Sequence, residues 1–418
     1  MLSGIPETGY EERPLDVPPV SNAIRIYYDR RLGARPRVLI GFLVSTFAAS
    51  IGRNGYYIAC AWALVQAGYG SAGVAILLAI VSVVEFIASP LAGIVADRFD
   101  RRRLNTAADV GRFAVMLATA FSLLYLDVFP SLCLSGVLFS ICDRVALTAS
   151  QAMIPLVAGG ADLAAANSSV FFVMQLGSLG AALLAGPLLG GHSPAPALAA
   201  LALFFLVSAG SLLSLRLDPI PHSITRPNGL APTVDRRLLR LFAAYALLYG
   251  GAVLVTVMGS SFIFEEQKGT AADFGHLEAA WSAGSLIGAV LFTRLTRAVS
   301  APILHLLLLG STALALMSLI ALRAPWTLIV FATLGCLYTL GRVSIEVTLQ
   351  SRVGNSVLGR AKGVMHSLAV TLGLLIFSTA TVVGDSVFPS TVFVSFGAVL
   401  LISIPALSLG VGQRKDES

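Results

Sequence analysis

The chain has 418 residues, 56% of them hydrophobic and only 12% charged, and its mean hydropathy is +0.84. Soluble domains carry about 25% charge, so the composition excludes a soluble enzyme and predicts a polytopic membrane protein in a lipid bilayer. The net charge of +6 does not point to nucleic acid, because the arginines lie in short links between apolar segments rather than on one polar face.

Residues 1–37 are polar and rich in Pro and Arg, a predicted cytoplasmic tail. The apolar run that begins near Val38 is too long and too far into the chain for a cleaved signal peptide. Windows of about 20 apolar residues span a bilayer. They fall at 38–66, 72–96, 104–125, 130–150, 167–190 and 194–215, then at 241–263, 274–297, 302–322, 325–348, 364–385 and 388–410. Pro219, Pro221, Pro227 and Pro232 mark the polar interval between as a linker. The predicted organisation is a tail 1–37, a six-helix half 38–215, a cytoplasmic linker 216–240, a six-helix half 241–410 and a tail 411–418. The fold class is therefore an all-α membrane protein of twelve transmembrane helices.

Basic residues orient it. A cytoplasmic N-terminus puts Arg98, Arg101–Arg103, Arg216, Arg226, Arg236, Arg237, Arg240, Arg294, Arg297, Arg352, Arg360, Lys362, Arg414 and Lys415 on the cytoplasmic side. Only Lys268 and Arg323 face the other way, so both termini are expected in the cytoplasm. The halves are punctuated alike, with charged links at 97–103 and 294–297 and longer polar links at 151–167 and 350–362. That pattern predicts a parallel-repeat transporter with its substrate site between the halves.

Cys60, Cys133, Cys142 and Cys336 lie in apolar segments without metal-ligand or disulfide spacing. No Gly-Lys-Ser/Thr phosphate loop and no ligand cluster of His, Cys and acids occurs. No cofactor and no metal are expected, and the energy must come from an ion gradient or the substrate's own.

The run Gly93-Ile94-Val95-Ala96-Asp97-Arg98-Phe99-Asp100-Arg101-Arg102 resembles the signature loop between spans two and three of the major facilitator superfamily, with Asp100 replacing a usual glycine. In span five, Gly186-Pro187-Leu188-Leu189-Gly190-Gly191, with Gly177 and Gly180 upstream, resembles the end of that superfamily's antiporter motif. Segments 89–103, 155–167 and 349–360 are similar to the branch that contains the bacterial enterobactin exporter. The resemblance covers the chain beyond its tail. It implies a monomeric inner-membrane carrier of a small molecule, with Gly93, Asp97, Arg98, Arg101, Asp109 and Arg112 in a cytoplasmic gate.

Charged side chains within spans mark pathways or buried pairs. Arg53 and Asn54 sit mid-way along span one, one turn from Tyr57. Many members of the superfamily carry an acid where Arg53 stands, and an arginine there suits a carboxylate or other planar anion. The alternative is an arginine locked to a neighbouring acid. Asp143 and Arg144 are adjacent in span four and point about 100° apart, so they cannot share one partner head-on. Arg342 and Glu346, one turn apart in span ten, either bridge each other or mirror that pair. Substrate contact is assigned to Arg53, Asn54, Tyr57, Arg144, Gln175 and Arg342, and proton coupling to Asp143, Glu346 or Glu85. Glu278 is read as interfacial, Phe171 and Phe172 as lipid-facing or packing residues, and Tyr245, Tyr249 and His366 as possible cavity residues.

The expected function is proton-coupled export of a small, anionic, siderophore-like molecule by alternating access. Import of a similar ligand, multidrug efflux and a non-transporting membrane scaffold or sensor are the competing readings.

Overall fold

The structure, a computed structural model, describes residues 36–158, 163–191, 193–215, 236–353, 355–383 and 386–408. Residues 1–35 of the expected tail, most of the linker 216–240, the tail 411–418 and the side chains of Asp97, Arg297 and Arg360 lie outside the described residues. Those residues form twelve α-helices. The first six are α1 (Pro36–Gln66), α2 (Gly70–Arg98), α3 (Arg101–Ser122), α4 (Val128–Ala158), α5 (Leu163–Leu188) and α6 (Ala195–Ser214). The second six are α7 (Arg236–Ser261), α8 (Ala271–Ala298), α9 (Ala301–Ser318), α10 (Trp326–Arg352), α11 (Asn355–Val383) and α12 (Pro389–Ser408). Ten of them are each long and apolar enough to cross a membrane; α3, which carries Asp109 and Arg112, and α8 complete the set.

Two helix starts are written in the sequence. Asp100 accepts a hydrogen bond from the Arg103 backbone N–H at 2.8 Å, capping α3. The residue that departs from the superfamily's usual glycine therefore starts the third helix. Thr270 and Asp273 form a reciprocal capping box on α8. The chain leaves α7 through a π-helical turn, Phe262–Glu266, whose Glu266 carboxylate accepts from the Ser390 N–H at 2.9 Å. That bond ties the turn to the start of α12.

Within the first six helices, α1 packs on α5 and α6, and α3 on α4 and α6. Within the second six, α8 crosses α10 so closely that a Cβ at Gly284 would collide with the Ala332 carbonyl, and one at Gly335 with the Trp281 carbonyl. Small residues permit such backbone contact where lipid gives helices no hydrophobic reason to associate. The two halves meet mainly through α5 against α8 and α2 against α11.

Candidate functional site

A cavity of about 460 Å³ lies between the halves, within the size range of small-molecule sites. Its walls come from α1, α2 and α5 on one side and α7, α8, α10 and α11 on the other. It is shut towards the side that bears the 66–70 and 188–195 links. There a Cβ on Gly186 of α5 would stand 3.2 Å from the Ala271 carbonyl and 3.3 Å from the Gly275 Cα of α8. Trp62 of α1 stacks on Phe274 of α8 at 5.8 Å and meets Phe264 edge-on at 5.5 Å. Towards the opposite side, that of the 98–101 link, Cβ atoms added to Gly93 of α2 or Gly363 of α11 would meet nothing within 4 Å.

The polar core of the first half is an ion network built on Asp143. Its Oδ2 accepts from Arg53 Nε and its Oδ1 from Arg112 Nη1, both at 2.7 Å. Arg112 Nη2 also donates to Asp109, whose other oxygen accepts from Ser208 Oγ at 2.6 Å. Ser208 in turn shares a 2.8 Å hydrogen bond with Ser45, and the Arg112 guanidinium lies 4.4 Å from the centre of the Phe205 ring. Asp109, Arg112 and Asp143 are all buried. Four helices, α1, α3, α4 and α6, are joined by this network. Asp109 and Arg112, which the sequence assigns to the cytoplasmic gate, sit inside the half, where they join its helices.

The charged loop has its own contacts. Arg101 donates to the Ala152 carbonyl at 3.1 Å and Arg102 to the Leu215 carbonyl, tying the start of α3 to α4 and the end of α6. Arg98 is exposed at the end of α2.

Arg53, Asn54, Tyr57, Gln175 and Arg342 all line the cavity, as does Glu85. The adjacent charges of α4 face different partners, as helix geometry requires. Asp143 is turned into the network, while Arg144 Nη2 donates to Glu85 at 2.5 Å. Arg144 itself is not part of the cavity lining. Arg342 Nε donates to Glu346 at 3.2 Å, so the two charges of α10 do bridge each other. Arg53 combines both of its readings. Its Nε is locked to Asp143, yet its side chain remains 29% exposed, and its terminal nitrogens have no hydrogen-bond partner among the described residues. Its guanidinium carbon lies 5.6 Å from the centre of the Tyr57 ring. Tyr249 also lines the cavity and meets the His366 ring edge-on at 6.1 Å.

Sequence reasoning misplaced two residues. Glu278, taken as interfacial, lines the cavity, and so does Phe171. On α8, Phe274, Glu278, Trp281, Ser282 and Ser285 all face the cavity. Their spacing of three and four is one stripe of a helix, and that stripe of polar and aromatic residues was the available signal.

The family model described as Major Facilitator Superfamily matches residues 42–378. No curated protein sequence matches the chain. Among solved structures, a mutant of the nucleoside transporter NupG superposes with a TM-score of 0.74 at 12% identity, over 88% of this chain and 99% of that one. A bacterial homologue of the iron transporter ferroportin in an inward-facing state gives 0.71 at 18% identity, over 90% and 99%. An auto-inhibited peptide transporter of the POT family gives 0.70 at 12% identity, over 90% and 96%. At these identities the likeness is one of fold.

Proposed function

Because the chain belongs to the Major Facilitator Superfamily and is a multi-pass membrane transporter, we propose that it is a secondary active carrier that exports a small organic anion of siderophore-like chemistry, coupled to protons. On this reading residues 38–215 and 241–410 are two bodies that rock about the cavity, joined by the linker 216–240. The basic bias of the links makes the 98–101 side cytoplasmic. The conformation described above is then the inward-facing one, in which cargo enters from the cytoplasm. The superfamily's signature loop is at rest in that state and engages when the cytoplasmic side closes.

One observation carries the cargo class. Arg53 is anchored through Nε and offers its remaining donors to the cavity beside Tyr57. A guanidinium held in this way presents a fixed fork to a planar carboxylate, and Asn54, Gln175 and Arg342 stand on the same lining. The resemblance of Gly186–Gly191 to an antiporter motif supports export over import.

The test is binding of 2,3-dihydroxybenzoate, a catechol carboxylate, to the purified full chain in lipid nanodiscs, followed by tryptophan fluorescence, with uridine and a dipeptide as comparators. Saturable quenching by the catechol carboxylate alone, lost in Arg53→Ala, is the expected result. Equal quenching in Arg53→Ala, or a response only to a comparator, would overturn the assignment.

A further inference from the structure

The charges in and around the cavity nearly balance. Arg53, Arg112, Arg144 and Arg342 are bound in ion pairs to Asp143, Asp109, Glu85 and Glu346. Glu278 is the acid left over. It lines the cavity between Phe274 and Trp281, and no hydrogen bond or ion pair joins it to another described residue. Among the described residues, the elements packed against α8 offer it no uncommitted cation, and the π-helical turn adds only the acids Glu265 and Glu266. Helix α5 contributes Gln175 and Ser178 to the lining, α7 contributes Tyr249 and Thr256, and α10 contributes Tyr338 and Arg342, the last already held by Glu346. Across the cavity, Arg53 is committed to Asp143, and Glu85 to Arg144. On its own helix, Asp273 is tied into the N-terminal cap and His276 is exposed.

These partners bear on which acid can take a proton. Protonating Asp143, Glu85 or Glu346 would leave a guanidinium without its counter-charge, which is costly for the buried Asp143 and less so for Glu85 and Glu346, whose pairs are part-exposed. Asp143 would abandon two. Glu278 abandons none. An ionised carboxylate without a partner is itself expensive in a site of low dielectric, and a proton removes that expense. Glu278 also lies about two turns from the shut end of the cavity, where opening of that end would bring water to it and closure would remove it.

We propose that Glu278 is the proton-binding residue of the transport cavity, in place of Asp143, Glu346 or Glu85. Proton uptake and release at Glu278 then accompany the opening and closing of the α5–α8 contact. The assignment rests on the cavity's being the transport cavity and not on the identity of the cargo.

The neighbouring indole supplies the measurement, since Trp281 is one turn along the same helix face. In the full chain carrying Trp62→Phe and Trp326→Phe, held in lipid nanodiscs, Trp281 emission is followed from about pH 5 to pH 9. A single-proton transition is expected, lost in Glu278→Gln, displaced in Glu278→Asp and retained in Glu346→Gln. No transition in the parent protein, or one unchanged in Glu278→Gln, would overturn the proposal. If Glu278→Gln does not fold, as judged by thermal unfolding, Glu278→Asp decides, and an unmoved midpoint would overturn it. Because no cargo is added, this result is independent of catechol carboxylate binding at Arg53.

Discussion

Asp143 is fully buried and accepts from two guanidiniums, whereas Arg53 is only half-buried and shares its acid with Arg112. The two residues should therefore fail differently. Asp143→Asn removes the acid paired with Arg53 and one of the two acids paired with the buried Arg112, leaving Asp109 as the other. By analogy with broken buried pairs it should cost about 3–5 kcal/mol, seen as a lower thermal unfolding temperature and lower yield from membranes. Arg53→Ala leaves Asp143 paired with Arg112, so the protein should reach the membrane and unfold at nearly the parent temperature. Arg53→Lys keeps the charge but loses the fork, and should weaken binding of the catechol carboxylate by about tenfold, or ~1.4 kcal/mol. A titration of tryptophan quenching measures that shift.

At the scale of elements, the closed end depends on α5 and α8 meeting at Gly186 and Gly275. Valine at Gly186 would push its side chain into the backbone of Ala271 and Ala272, so Gly186→Val should hold that end ajar. In a cysteine-free background, Ala182→Cys, whose carbonyl lies at this crossing, should react with a membrane-impermeant maleimide several-fold faster when Gly186→Val is added. The α8–α10 crossing is less forgiving because both backbones touch there. Gly284→Val should lower thermal stability and protein yield. The spans themselves were legible because each bilayer crossing needs an apolar run, and the predicted starts and ends fall within a few residues of most helices. The inner charges were legible as anomalies, Arg53 and Asp143 above all, since such residues are rare in apolar runs. Their partners were not, because Asp143 meets Arg112 and Arg53 only through the crossing of α1, α3 and α4. Glu278 was misread for a related reason. Its closeness to the end of a segment suggested the membrane surface, but packing of α5 over the first turns of α8 encloses that end.

For the whole molecule, the cavity is pinched off on one side by the α5–α8 crossing and the Trp62–Phe274 stack, while a Cβ on Gly93 or Gly363 on the other side would meet no described residue within 4 Å. On the proposed reading, alternating access exchanges those two conditions, and the ion network ties α1, α3, α4 and α6 of the first half together. The proposal that the cavity carries an organic anion by way of Arg53 at the expense of a proton gradient is tested by flux of radiolabelled 2,3-dihydroxybenzoate in proteoliposomes with an imposed pH difference, for the parent protein and Arg53→Ala side by side. The expected result is accumulation against a concentration gradient that vanishes when the pH difference is collapsed and is absent in Arg53→Ala. Flux that ignores the pH difference, or that proceeds undiminished in Arg53→Ala, would contradict it.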